Sequence, residues 1–219
     1  MNGNLRLRFS KTGRAKYISH LDLMATMRRA LIRAGVELKY SEGFNPHPYM
    51  SIALPLSVGS SSICELMDIG VATDAAPDDL PQTINKVMPE GLAVIEAYRP
   101  ERKFSSIAWI EISGLLYYDE GAPQDAVERL TRRFAEKSIV VSKKSKSGIS
   151  DIDISPFIRD ISFLQQGAVN ISAKISAQNP SINPENLMSA LNGDFETLKP
   201  DFYDFTRTRV LDKDINAFR

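Results

Sequence analysis

The chain has 219 residues with 27 basic and 27 acidic side chains, so its formal net charge is zero at pH 7. This balance argues against a general polyanion-binding protein, and the length suffices for one large domain or two of about 100 residues each. A lone cysteine, Cys64, excludes an internal disulfide, and no run reaches the ~20 apolar residues of a membrane span. We therefore expect a soluble protein of the cytoplasm.

The charges are distributed unevenly along the chain. Residues 1–50 contain nine Lys and Arg against three Asp and Glu, a net charge of +6. Residues 51–100 contain two against seven, a net charge of −5. A basic face results if the fold keeps the first group together.

The first predicted element is a half-buried strand, "LRLRF". Its alternation places Leu5, Leu7 and Phe9 on one face and Arg6 and Arg8 on the other.

A helix follows over "SHLDLMATMRRALIRAG", with Ser19 as the predicted N-cap and Gly35 as the stop. Its apolar stripe consists of Leu23, Met24, Met27, Leu31 and Ala34, and Arg28, Arg29 and Arg33 fall away from that stripe.

Two further strands are predicted over residues 50–59 and 64–71, then a short helix over residues 78–88 and a strand over residues 91–98. The order β-α-β-β-α-β is that of a ferredoxin-like unit. After a polar linker, the second half repeats this order approximately, with one additional strand. We predict an α+β protein of two tandem ferredoxin-like domains with antiparallel sheets, over residues 1–100 and 101–219.

The first candidate site is the helix start in "GRAKYISHLD", where Arg14, Lys16, Tyr17, Ser19 and His20 are close in sequence. Free N–H groups and the helix dipole favour a phosphate there, and the same dipole favours a neutral His20. The ordinary alternative is that Ser19 only caps the helix and His20 is solvated.

The second candidate is the loop "YSEGFNPHPYMS", in which Pro46 and Pro48 hold His47 in one direction. Together with Glu42, Phe44 and Asn45, it is a candidate for substrate binding or acid–base chemistry. A stiff spacer is the alternative.

The third candidate is the open face of the first sheet, from which Arg6 and Arg8 are expected to project towards phosphates. A solvated polar face is the alternative. No phosphate-binding loop, dinucleotide motif or clustered metal ligands occur, so no cofactor and no metal site are expected.

The segments "FSKTGRAKYISHLDLM", "YSEGFNPHPYMSIALPLSVG" and "MDIGV" resemble the bacterial radical-SAM-linked domain. That family of unknown function occurs alone or fused C-terminal to a cobalamin-type radical-SAM protein. The resemblance implies a radical-SAM protein as partner. The chain has no cysteine cluster that could itself hold the usual iron–sulfur cluster.

We therefore expect a non-catalytic RNA- or nucleotide-binding accessory module for a radical-SAM modification enzyme. One alternative is a metal-independent endoribonuclease or small-substrate transferase, with His20 and His47 as the acid–base pair and Tyr17 as an auxiliary. A second is a protein–protein adaptor. The oligomeric state is not predicted.

Overall fold

The computed structural model describes residues 4–72, 79–145 and 148–219. These residues form ten strands with a few helices between them, and the strand pairs within each part of the chain are antiparallel. The predicted α+β class is confirmed. The chain divides into two compact units: the first ends at Ser106 and includes the C-terminal Arg219, and the second spans Ile107–Phe218.

The first unit contains four strands and two α-helices among its described residues. In chain order they are β1 (Asn4–Lys11), a 3₁₀ turn (Gly13–Tyr17), α1 (His20–Arg33), β2 (Met50–Ile52), β3 (Ser61–Gly70), α2 (Leu80–Asn85) and β4 (Leu92–Tyr98). The strand order is β4-β1-β3-β2, with each neighbouring pair antiparallel.

Local sequence signals account for the start of this unit. The alternation in β1 buries Leu5, Leu7 and Phe9 in the core, together with the apolar stripe of α1. The Ser19 hydroxyl accepts a hydrogen bond from the Asp22 backbone N–H at 3.1 Å, so it caps α1 as predicted.

The strand predicted over residues 50–59 is much shorter than expected. Only three residues of β2 pair with β3, and the Ala53 N–H still donates to the Leu66 carbonyl at 2.9 Å. Leu54 then has a φ of 49°, which no extended strand permits, and Pro55 follows. The rest of the predicted strand is therefore a loop that leads to β3.

The second unit has a similar core of four strands. Its described elements are β5 (Trp109–Tyr117), α3 (Ala126–Phe134), β6 (Val140–Ser145), β7 (Gly148–Asp153), a 3₁₀ turn (Ser155–Phe157), β8 (Ile158–Gln166), β9 (Ala168–Ser176), α4 (Pro184–Ser189), a second 3₁₀ turn (Gly193–Leu198) and β10 (Phe202–Leu211). Four strands are ordered β10-β5-β9-β8, while β6 and β7 form a separate hairpin.

The hairpin partner β7 was not predicted from the sequence. Most of its side chains are exposed, so it lacks the apolar alternation by which strands are recognised. Asp153 closes the hairpin, because its Oδ1 accepts hydrogen bonds from the backbone N–H groups of Ile139 and Ser155. These bonds hold the pKa of Asp153 well below its ordinary value.

Two negative findings hold for the described part of the chain. None of its helices is long and apolar enough to cross a membrane. No group of three or more His, Cys, Asp and Glu side chains there could hold a metal ion.

Candidate functional site

Arg6 is fully buried, contrary to the expectation that it projects from an open face. Its Nε lies 2.6 Å from Oδ1 of Asp68, and its Nη2 donates to Oδ2 of Asp68 and to the Arg102 carbonyl, both at 2.9 Å. The ring of Phe104 covers the guanidinium, with its centroid 4.3 Å from Cζ. The linker after β4 thus lies over this part of the sheet, and Arg6 is not placed to meet a phosphate.

Arg8 is partly exposed, but its charge is compensated. Its Nε lies 3.3 Å from Oε2 of Glu96, which also pairs with Arg219. The Arg219 guanidinium lies 5.0 Å from the ring centroid of Tyr98. The expected basic sheet face is therefore wrong, because β3 and β4 place carboxylates directly beside the arginines of β1.

The start of α1 is held firmly at one end of the first unit. The Lys16 carbonyl accepts hydrogen bonds from Lys11 Nζ at 3.0 Å and from the Gly59 N–H at 2.9 Å. Lys11 is buried on the core side of the sheet, and burial lowers the pKa of its ammonium, an effect that the Glu65 carboxylate opposes. These contacts fix the 3₁₀ turn that carries Arg14 and Tyr17.

The start of α1 is exposed to solvent, but the Asp22 carboxylate already lies in its first turn. Arg14, Tyr17 and His20 face solvent, and Lys16 Nζ lies 5.4 Å from the Tyr17 ring centroid. Ser19 Oγ donates to the Asp22 carboxylate at 2.7 Å, so a negative group already occupies the first turn of α1. That carboxylate disfavours a phosphate at the same place.

The second candidate loop is a regular hairpin, which we call the His47 hairpin (residues 39–49). Tyr40 and Pro48 form a β-bridge, and the Ser41 N–H donates to the His47 carbonyl at 2.8 Å. The His47 N–H donates in return to Ser41 Oγ at 3.0 Å, and the Tyr49 N–H to the Lys39 carbonyl at 2.9 Å. Glu42, Gly43, Phe44, Asn45 and Pro46 form its exposed tip.

The hairpin is joined to the end of the sheet. The Lys39 N–H donates to the Gly70 carbonyl at 2.9 Å, and the Gly70 N–H donates to the Tyr49 carbonyl at 2.7 Å. A Cβ at Gly70 would lie 3.0 Å from the Tyr49 Cβ, so glycine allows this close approach. The hairpin therefore extends the sheet and is anchored at both of its strands.

The hairpin carries exposed aromatic side chains. Phe44 at the tip is completely exposed, at 112% of its reference area, and Tyr40 and Tyr49 are also exposed. His47 and Asn45 face solvent beside them. Of the predicted site residues, the structure brings Glu42, Phe44, Asn45 and His47 together on this hairpin.

A depression of about 320 Å³ lies at the base of the hairpin. It is lined by Asn4, Tyr49, Met50, Ser51, Asp68, Ile69 and Gly70. The Asp68 carboxylate is oriented there by Arg6. Ser51 and Asp68 were not among the predicted site residues. They had no local signal, because only the pairing of β2 with β3 brings them together beside Tyr49 of the candidate loop.

His20 and His47 lie at opposite ends of the first unit. Asn4, which begins β1, pairs with Gly70 at the base of the hairpin. His20 follows the other end of β1, whose eight residues span roughly 25 Å. The 14 residues of α1 then extend about 21 Å away from His20. The two imidazoles cannot share a substrate atom, so a His20–His47 acid–base pair is excluded.

A protein-family comparison supports one part of the sequence resemblance, namely membership in a bacterial family of unknown function. Residues 4–188 match the model of a family described as uncharacterized proteins conserved in bacteria (DUF2344). The chain belongs to this family. The match includes the 3₁₀ turn, α1 and the His47 hairpin, and the expectation of a bacterial domain of unknown function is confirmed. No curated protein matches the chain.

Two solved structures are similar at low identity. A chain of the crystal structure of a Cbf5-Nop10-Gar1 complex is 10% identical, with a TM-score of 0.49. That alignment covers 94% of this chain and 48% of the other, so this chain spans about half of its length. An unknown protein from Galdieria sulphuraria is 13% identical with a TM-score of 0.28, over 94% and 96% of the two chains.

Proposed function

We propose that the chain is a non-catalytic RNA-binding accessory module for a radical-SAM modification enzyme. The observation that carries the RNA-binding proposal is the anchored His47 hairpin with its completely exposed Phe44. The family resemblance carries the proposal of the partner enzyme.

Each unit is further proposed to be a ferredoxin-like domain. The first unit supports this with the order β1-α1-β2-β3-α2-β4 and the sheet order β4-β1-β3-β2. The second unit supports it with the sheet order β10-β5-β9-β8, into which the β6–β7 hairpin is inserted along the chain.

The hairpin has the chemistry that single-stranded RNA recognition requires. Unpaired bases stack on aromatic rings and are read through hydrogen bonds along their edges. Phe44 offers a free ring face, and Asn45 and His47 offer amide and imidazole groups beside it. Pro46 and Pro48 restrict the backbone, so little conformational entropy is lost when a base binds.

The depression at the base of the hairpin adds a place for a second base. Tyr49 supplies an exposed ring, and Ser51 supplies a hydroxyl. The Asp68 carboxylate accepts hydrogen bonds from Arg6 and keeps lone pairs for an exocyclic amino group of a base. The hairpin and the depression together form one continuous surface, because Tyr49 belongs to both.

Replacing the tip aromatic tests this function. Phe44→Ala should weaken binding of a fluorescein-labelled single-stranded RNA roughly 5- to 150-fold in an anisotropy titration, since one base stack contributes about 1–3 kcal/mol. The fold should be unaffected because Phe44 makes no core contact.

Phe202→Ala is the matched control, because it removes an exposed aromatic ring from the second unit. This control should leave the RNA affinity unchanged. RNA binding that is equally strong in the wild type and in Phe44→Ala would contradict the assignment of the hairpin.

A protein–protein adaptor is the second candidate function, favoured by apolar exposure at the other end of the first unit. Tyr17 is 61% exposed and Leu21 78% exposed. Val58 is exposed near Tyr17, because the adjacent Gly59 N–H donates to the Lys16 carbonyl. Such a group of apolar side chains is typical of a protein contact. It is compatible with RNA binding at the hairpin end.

A further inference from the structure

A basic groove lies on the helical side of the first unit, away from the His47 hairpin tip. It has a volume of about 330 Å³. Its lining residues come from α1 and from the segment after α2: Thr26, Arg29, Arg33, Val87, Met88 and Pro89. One wall is therefore cationic and the other apolar.

The two arginines are placed to act together. Arg29 and Arg33 are four residues apart on α1, so they lie on the same side of the helix, about 6 Å apart along its axis. Arg33 Nε donates to the Arg29 carbonyl at 3.3 Å, which directs one guanidinium along the helix. Both side chains are exposed.

The charge of this groove is not compensated within the described first unit. Neither Arg29 nor Arg33 forms an ion pair with a described residue, unlike Arg6, Arg8 and Arg219. Arg28 and Lys86 are exposed nearby in the chain and add positive charge. Glu90, which follows Pro89, is the adjacent acidic residue and is exposed to solvent. Much of the excess charge of residues 1–50 thus reaches solvent on α1, while Arg6 of the sheet is buried and Arg8 is paired with Glu96.

We propose that this groove binds the phosphate backbone of the RNA whose bases the His47 hairpin holds. Planar guanidinium groups form paired hydrogen bonds with phosphate oxygens, and two of them one helical turn apart can hold one phosphate or two neighbouring ones. The apolar wall of Val87, Met88 and Pro89 then packs against ribose. The inference rests on the proposed RNA-binding function and adds the surface that supplies its affinity.

The path of the chain connects the groove with the hairpin. α1 ends at Arg33, and the hairpin begins at Lys39 after only five intervening residues. A strand of RNA that stacks on the hairpin can therefore continue along α1. Phosphate contacts position the strand, and the hairpin contacts select bases.

The test measures the RNA affinity of the wild type and of double variants over a series of KCl concentrations. Arg29→Gln/Arg33→Gln should weaken binding of the labelled single-stranded RNA and lower the slope of log affinity against log KCl concentration by about 1.4, since each phosphate contact on a single strand contributes about 0.7. Arg29→Lys/Arg33→Lys should keep most of the slope while losing affinity, because the charge remains and the planar fork is lost.

Arg129→Gln/Arg132→Gln on α3 is the matched control, because it removes the same charge from a helix of the second unit. It should leave the slope unchanged, as those arginines pair with Asp125 and Glu128. Circular dichroism spectra should be the same for all variants, since the substituted side chains are on the surface.

The possible outcomes distinguish failure of the groove proposal from failure of the proposed RNA-binding function. Unchanged affinity and slope in Arg29→Gln/Arg33→Gln, with Phe44→Ala still impaired, would overturn the groove and leave the RNA-binding function. A wild-type chain that binds no RNA would overturn both. If the wild type binds an acidic peptide and Arg29→Gln/Arg33→Gln loses that binding while its RNA affinity is unchanged, the groove binds a protein ligand. That result would overturn the inference.

Discussion

At the scale of single residues, burial decides what an arginine does. Arg6 and Arg8 are neighbours on the same face of β1, yet Arg6 is sealed under Phe104 and Arg8 is partly exposed. A buried guanidinium requires its carboxylate, because an uncompensated charge away from water is strongly unfavourable. A surface pair in water contributes little.

This contrast predicts different effects of removing the two carboxylates. Asp68→Asn should lower the free energy of unfolding by about 3 kcal/mol, because Arg6 keeps its charge and loses its acidic partner. Glu96→Gln should lower it by less than about 1 kcal/mol. Urea unfolding followed by circular dichroism measures both. Equal effects of the two substitutions would show that the burial of Arg6 has no energetic consequence.

At the scale of elements, the candidate surfaces are held by backbone contacts. The His47 hairpin is a ladder of main-chain hydrogen bonds that ends on Gly70. The 3₁₀ turn before α1 packs on the turn before β4, where the Thr12 N–H donates to the Gly91 carbonyl at 2.8 Å. Rigid presentation of exposed side chains therefore follows from pairing between segments that are distant in sequence.

The contact between these two turns predicts the effect of a glycine substitution. Gly91 has a φ of 85°, and a Cβ there would lie 2.5 Å from the Thr12 carbonyl oxygen. Gly91→Ala should destabilise the protein by about 1–2 kcal/mol for its backbone conformation. Overpacking against the 3₁₀ turn should add about 1–3 kcal/mol.

Gly121→Ala separates these two contributions. Gly121 has almost the same φ, 86°, but nothing lies within 4 Å of the position of its Cβ. Only the backbone contribution should then appear in its urea unfolding curve. If Gly121→Ala is as destabilising as Gly91→Ala, the close packing of the two turns is not important for stability.

At the scale of the whole molecule, the first unit has two exposed ends with different chemistry. One end presents the His47 hairpin, and the other presents Tyr17, Leu21 and Val58. β1 and α1 separate the two ends by more than about 20 Å. This separation excludes a catalytic centre shared by the two ends but permits two ligands at once, here the proposed RNA and the proposed partner enzyme.

This arrangement predicts that the two proposed binding functions can be lost separately. Tyr17→Ser/Leu21→Ser should reduce recovery of a radical-SAM protein, identified by mass spectrometry, when the tagged chain is isolated from a nuclease-treated lysate of its native cell. The same variant should bind labelled RNA as the wild type does. Phe44→Ala should show the opposite behaviour. Loss of both ligands in each variant would contradict separate surfaces.

The local signals in the sequence were reliable where a single element decides the outcome. Alternation in β1 identified Leu5, Leu7 and Phe9 as core residues, and the Ser19 cap marked the start of α1. The strand predicted after Met50 was too long, because apolar residues 52–56 include the left-handed Leu54. The exposed strand β7 had no apolar pattern to reveal it.

Periodicity and proline stereochemistry predicted the α+β class, the order of most of the main elements and the restricted backbone around His47. The pairing that makes this loop a hairpin is seen only in the structure. Which charged side chains are buried, paired or exposed follows from tertiary contacts alone. Arg6 on β1 pairs with Asp68 on the neighbouring strand β3, 62 residues away in sequence. Arg29 and Arg33 meet the apolar segment after α2. Charge counts along a chain cannot predict such contacts, because strand and helix packing join residues that local patterns treat as independent.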